Sequence, residues 1–273
     1  MLPSLASGDQ AGRESSAETH HQRGWESLSG TLPRFHNRAR RDSLNPRPFD
    51  MTMRSTAAEA SPSISHVDQG SPYPAGASVL LDRDGVVNFQ RTGRYVHSWP
   101  DFEFLPRALD AFRALAHAGV STYVATNQGG VGRGHLTAGA LADVHDRMAE
   151  AIRDAGGRLD AIAHCPHAPD DGCRCRKPRP GMLFGLASRF GIDLSASFFI
   201  GDNVTDLEAG VAAGCRTILV GTGEGVRSAG RLGINEPFTG FTGLEPPPIG
   251  GLVGVAGDIL DAVHAAIARR AAG

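Results

Sequence analysis

From residue 78 to residue 221, short apolar runs alternate with stretches of helical period, and few architectures accept that order. SVLLD (78–82) suits a buried strand, because a strand covered on both faces reads as continuous apolar sequence. In PRALDAFRALAHAG (106–119), Leu109, Phe112, Leu115 and Ala116 fall at helical spacing, with Pro106 at a start and Gly119 at a stop. VSTYVAT (120–126) is a second strand. Thr137 can then cap a helix with Leu141, Val144, Met148 and Ile152 on one face. LDAIAHC (159–165), SFFIGD (197–202) and RTILVG (216–221) supply three more strands. Between them lie a helix from about Gly181 to Phe190, ended by Gly191, and another in VTDLEAGVAAG (204–214). This succession predicts a single α/β domain of Rossmann-like type, a parallel sheet with helices on both faces. Residues 222–251 are Gly- and Pro-rich and read as a loose loop, and a last helix is expected over about 256–270.

Residues 1–75 have a different texture. They are rich in Ser, Pro, Gly, His and Arg and show no sustained period, which predicts a disordered N-terminal extension ahead of a domain over 76–273. Met51 and Met53 stand shortly before the first strand, and one of them is the expected natural start. The net charge of −2, with no long basic block, argues against a nucleic-acid surface. No apolar run reaches bilayer length, and the N-terminus lacks the features of a secretory signal. Four cysteines, three of them crowded together, do not form a disulfide framework, so a reducing cytoplasm is the expected compartment.

In an open parallel sheet, ligands bind beyond the carboxyl ends of the strands. The first strand ends in DRDG, bringing Asp82 and Asp84. The second ends in TNQGG, bringing Thr126, Asn127 and Gln128. The strand at 197–202 leads into GDNVTD, bringing Asp202, Asn203 and Asp206. Carboxylates gathered this closely repel one another, and a hard cation such as Mg²⁺ relieves the repulsion. For Asp206 a helix-capping role competes on equal terms with a role in the site.

Two rarities meet in HCPHAPDDGCRCRKPRPG (164–181). Cys165, His167, Cys173 and Cys175 form a Cys₃His set that suits structural Zn²⁺, with free thiols or one disulfide as alternatives. His164 reads as a strand-end residue and Cys215 as an inert core thiol. Lys177 is the one lysine among 27 lysines and arginines, so it marks a place where a compact ammonium is needed.

The segments LLDRDGVVN, VATNQ, RKPRPG and FIGDNVTD, in that order, resemble the haloacid-dehalogenase-like (HAD) superfamily of phosphotransferases. The resemblance spans about residues 78–220. It implies that Asp82 attacks phosphorus, that Asp84 acts as general acid and then base, and that Thr126 donates to a phosphoryl oxygen. It implies that Lys177 neutralises developing charge and that Asp206 holds Lys177 or a metal-bound water. Mg²⁺ would be held by Asp82, the backbone carbonyl of Asp84 and Asp202.

The pattern CPH…CxCRKP is similar to the heptose-bisphosphate phosphatases and their histidinol-phosphate relatives, and YVHSWPDFEFLP (95–106) and TNQGGVGRG (126–134) lean to the heptose side. That implies Arg176, Asn127 and Gln128 on the substrate. Two departures concern substrate identity: Asn203 stands where heptose phosphatases often have lysine, and the loop FQRTGRY is longer. About 17 residues separate Asn88 from Pro106, too few for a cap domain, so loops must shape the mouth. A small phosphorylated sugar as substrate and a monomeric enzyme are expected.

Overall fold

The computed structural model describes residues 61–66, 76–90 and 95–271. The expected start at Met51 or Met53 lies outside them. The strands are β1 (Ser63–His66), β2 (Val79–Leu81), β3 (Thr122–Asn127), β4 (Ala161–Cys165), β5 (Phe198–Gly201), β6 (Arg216–Val220), β7 (Phe241–Gly243) and β8 (Leu252–Ala256). The α-helices are α1 (Ala108–His117), α2 (Ala138–Asp154), α3 (Gly181–Phe190), α4 (Val204–Ala212), α5 (Gly225–Arg231) and α6 (Ile259–Ala271). They build one eight-stranded sheet in the order β1-β4-β3-β2-β5-β6-β8-β7.

The six strands from β4 to β8 run parallel, while β1 and β7 pair antiparallel at the two edges. Consecutive strand residues face opposite ways, and the core divides accordingly. Leu81, Val124 and Ile200 pack with Phe112, Met148 and Val263 under α1, α2 and α6. Leu80, Ala125 and Phe199 pack with Leu183, Leu186 and Ala209 under α3 and α4. Truncating Leu80 or Leu81, both fully buried, to Ala would cost about 2–5 kcal/mol.

Local signals act where expected. The Thr137 hydroxyl caps α2 by accepting from Ala140 N at 3.1 Å, and Gly191 ends α3 in the left-handed region at φ 68°. Among the described residues no separate cap domain is inserted, and no helix is long and apolar enough to cross a membrane.

Three expectations are corrected. Residues 63–66, placed in an unstructured extension, form β1. Only one large apolar residue, Ile64, packs inward there, against Gly185 of α3, so four edge residues left no readable period. Residues 222–251 are not a loose loop, since α5 and β7 lie in them. The last helix begins at Ile259, because Leu252–Ala256 is strand β8. The glycine in LVGVA disguises that strand. Any side chain at Gly254 would collide with the Phe241 ring, so close approach of β7 demands glycine there.

Candidate active site

Sheet register brings the carboxylates together. Leu81 lies beside Ile200 of β5 and Val124 of β3, so Asp82 and Asp202 leave neighbouring strands at one edge. The amide of Asp82 donates to Ile200 O at 2.9 Å. Asp206, one turn into α4, completes a set whose ligand oxygens lie within 4.8 Å of one another, with Asp82, Asp202 and Asp206 all buried.

Lys177 enters this cluster from the segment before α3. Its Nζ lies 2.7 Å from Asp82 Oδ1 and 2.6 Å from Asp206 Oδ1, and donates to Ala125 O at 2.9 Å. Asp206 also accepts from Asn203 N at 2.9 Å, closing a capping box on α4. Asp206 therefore caps α4 and pairs with Lys177 at once. Asn127 brackets the Lys177 backbone, donating to its carbonyl at 3.1 Å and accepting from its amide at 3.0 Å.

Burial raises Asp82 to about 7, with Asp206 and Asp84 adding to the rise against the pull of Lys177. Burial and the charges of Asp206 and Asp82 raise Asp202 to about 8. Burial alone would lower Lys177, but Asp206 and Asp82 outweigh it and hold the amine above its ordinary value. Asp82 Oδ1 has the ion pair but no directional hydrogen bond among the described residues. A dication fits this excess of buried, mutually repelling oxygens.

Asp84 points elsewhere. Its carboxylate accepts from Arg83 Nη2 at 2.9 and 3.0 Å, from Asn88 Nδ2 at 3.0 Å and from Gln128 Nε2 at 2.8 Å. Burial works to raise its pKa, but Arg83, Asn88 and Gln128 overcome it and the net shift is downward. Only its backbone, not its side chain, is left for a metal. Gln128 Nε2 also donates to Thr126 Oγ1 at 2.8 Å. With that lone pair taken, the Thr126 hydroxyl proton is free to point into the cavity.

The cavity measures about 590 Å³ and is lined by Asp82, Asp84, Gln90, Tyr95, Thr126, Asn127, Gln128, Arg133, Arg176, Lys177, Asp202 and Asn203, among others. Loops therefore shape its mouth, with Gln90 and Tyr95 from one, Gln128 and Arg133 from a second, and Arg176 from the segment after the cysteines. Asn203, at the position where heptose phosphatases often have lysine, lines it beside Thr205.

In the cysteine loop, Cys165 Sγ lies 3.6 Å from Cys173 Sγ and 3.5 Å from His167 Nδ1, and His167 Nδ1 lies 3.2 Å from Cys175 Sγ. A tetrahedral zinc with bonds of about 2.3 Å to sulfur sets edges of about 3.8 Å, so the four atoms stand close to a zinc tetrahedron. All four cysteines are free thiols, which removes the disulfide alternative. Hydrogen bonding from Cys175 and His167 lowers Cys165 to about 5, while Cys175 is raised by its bond with Cys165 and by burial. His164 is not part of the set. Burial pushes Cys215 up to about 12, which suits an inert core thiol. The loop is tied to its surroundings by Arg176 Nη1 donating to His167 O at 3.3 Å and Arg179 Nη1 to Cys173 O at 2.6 Å.

Sequence reasoning missed two parts of the site. Thr222 Oγ1 donates to Gly85 O at 2.6 Å and Glu224 N to Asp202 Oδ2 at 2.8 Å, so the supposed loose loop clamps the Asp202 carboxylate. Gly85 and Gly223, at φ 88° and 56°, both close on Asp202, where a side chain would strike its carboxylate. The other part is Arg83 with His145. The available signal was a histidine on the apolar face of α2, alongside Leu141, Met148 and Ile152.

The HAD-hydrolase-like family model matches residues 174–238. The chain is 42% identical over 153 residues to the D-glycero-β-D-manno-heptose-1,7-bisphosphate 7-phosphatase of Pseudomonas aeruginosa, covering 56% of this chain and 85% of that protein. The enzyme of the same name from Bordetella bronchiseptica is 43% identical over 158 residues, covering 58% and 88%. The crystal structure of a B. bronchiseptica D,D-heptose 1,7-bisphosphate phosphatase, complexed with magnesium and phosphate, superposes with a TM-score of 0.62 at 36% identity. That match covers 71% of this chain and 99% of the other.

Proposed function

This chain belongs to the HAD-like phosphatases, and we propose that it removes the 7-phosphate of D-glycero-D-manno-heptose 1,7-bisphosphate through an aspartyl-phosphate. The observation that carries the reading is Lys177, buried between Asp82 and Asp206 at the floor of a cavity whose wall presents Asp84.

The Asp82 carboxylate attacks phosphorus while Lys177 balances its charge and that of the phosphoryl oxygens. Thr126 donates its free hydroxyl proton to one of those oxygens. Asp84, held below its ordinary pKa by Arg83, Asn88 and Gln128, takes up a proton as the phosphoryl charge enters beside it, gives that proton to the departing sugar oxygen and, as a carboxylate again, takes one from the water that cleaves the acyl phosphate. Asp82, the Asp84 carbonyl and Asp202 are the groups that would hold Mg²⁺, with Asp206 in support. When bound, that cation neutralises charge on the transferring phosphoryl group. Asn127 acts mainly by fixing Lys177, and Gln128 by joining Asp84 to Thr126. Arg176 faces the cavity from the zinc loop and would meet the far part of the substrate. A monomeric cytoplasmic enzyme is the form that fits this reading.

Phosphate release from both anomers of the heptose bisphosphate, from fructose 1,6-bisphosphate and from histidinol phosphate tests the assignment. Asn203 makes the last arm necessary, because it stands in the cavity where heptose phosphatases often carry a lysine. Fastest turnover is expected on a heptose bisphosphate. A hundredfold preference for histidinol phosphate would overturn the substrate and keep the chemistry.

A further inference from the structure

Arg83 is 1% exposed, a full guanidinium charge enclosed beside the site. Burying such a charge is costly unless every donor is matched. One side of it grips Asp84, with Nη2 2.9 and 3.0 Å from the two carboxylate oxygens. The other side reaches α2, where Nη1 lies 3.1 Å from His145 Nε2. A guanidinium only donates, so His145 Nε2 must accept, and the ring is neutral with its proton on Nδ1. Burial and the neighbouring Arg83 charge hold His145 well below its ordinary pKa, which keeps that acceptor in place. His164, whose ring stands edge-on to His145 at 5.5 Å, is lowered to about 4 by burial and by Arg83.

We infer that His145 and Arg83 are positioning residues that fix the Asp84 carboxyl where it can hand a proton to the leaving group. Asp84 has other donors, Asn88 and Gln128, but both sit on loops at the strand ends. Arg83 alone links it to a helix packed in the core, because His145 lies on the buried face of α2 beside Val144 and Met148. Without the imidazole nitrogen, Nη1 is a buried donor with no acceptor, and the guanidinium must turn to find one. Asp84 turns with it. Proton transfer is sensitive to such displacement, whereas attack by Asp82 is not routed through Arg83.

The inference rests on the phosphomonoesterase reading, and leaving groups separate the two. A sugar alkoxide needs a proton as it departs, and a p-nitrophenolate does not. In His145→Leu, kcat/KM for the sugar phosphate should fall at least tenfold while that for p-nitrophenyl phosphate falls less than threefold. His145→Gln, which restores an acceptor near the Nε2 position, should recover the sugar phosphate rate to within threefold. Equal losses on both substrates, or no loss on either, would overturn the inference. Should His145→Leu fail to fold, His145→Asn withdraws the acceptor with a polar side chain and is read on the same ratio against His145→Gln. Wild-type protein that releases phosphate from neither substrate would overturn the phosphatase reading and this inference with it.

Discussion

Lys177 Nζ stands 2.7 Å from Asp82 Oδ1 and 2.6 Å from Asp206 Oδ1, so one ammonium holds together the carboxylate at the end of β2 and the first turn of α4. Neither arginine nor a neutral residue can do this in the same space, since a planar guanidinium is larger and directs its donors in a fork. Lys177→Ala should therefore lower kcat by about a hundredfold or more, and Lys177→Arg should rescue little of it. Asp82→Asn should abolish turnover yet leave the thermal midpoint within a few degrees, because it removes a charge that Asp206 and Asp84 repel. Phosphate release and thermal unfolding of the three variants check both statements, and measurable turnover by Asp82→Asn contradicts the aspartyl-phosphate route.

The metal-free protein should lose stability as pH rises. Burial and neighbouring charge raise Asp82 to about 7 and Asp202 to about 8, against an ordinary value of 3.8. Between about pH 4 and pH 8 the folded protein keeps protons that the unfolded chain gives up, so unfolding is favoured by rising pH. Mg²⁺ competes with those protons, and its stabilising effect should be larger at pH 8 than at pH 5. Thermal midpoints with and without Mg²⁺ across this range decide it. An equal shift at both ends counts against a metal site built from these carboxylates.

Zinc removal should cost activity without touching substrate. Asn127 fixes the Lys177 backbone from β3, beside Cys165 in the sheet, and Arg176 and Lys177 follow Cys175 directly. Chelation that strips zinc should lower kcat at least tenfold in step with the metal lost. Full activity in protein shown to be zinc-free would refute the link.

Thr222→Val should weaken Mg²⁺ more than substrate. The Thr222 hydroxyl holds Gly85 O at 2.6 Å, and the same turn gives Asp202 an amide donor at 2.8 Å. Loosening it should raise the Mg²⁺ concentration for half-maximal activity several-fold and shrink the Mg²⁺-induced thermal shift. Little change in substrate KM is expected, and a variant whose Mg²⁺ dependence is unmoved argues against the clamp.

The clustering of the candidate site was legible because strand ends advertise themselves: an apolar run that stops at Asp82, Thr126 or Asp202 points to one side of a parallel sheet. The cysteine loop was legible because four metal-binding groups in 11 residues leave few other uses. What lay hidden has physical reasons. β8 is broken by Gly254, which Phe241 requires, and α5 is a seven-residue helix within a Gly-rich stretch. Arg83 gave no sign of burial, because nothing local says that an arginine between two aspartates turns inward. His145 sits on a face whose other members are apolar, and only the structure shows what it faces.

The enclosure of Lys177 gives the folded chain an unusual surface chemistry. The single ε-amino group in 273 residues is 4% exposed and locked between carboxylates, so the outside of the described domain offers no primary amine to acylating reagents. Apart from the α-amino terminus, acylation of this protein should wait for the active site to open. The rate of a second amine label is then a clock for that opening, and a tight substrate or product should stop it.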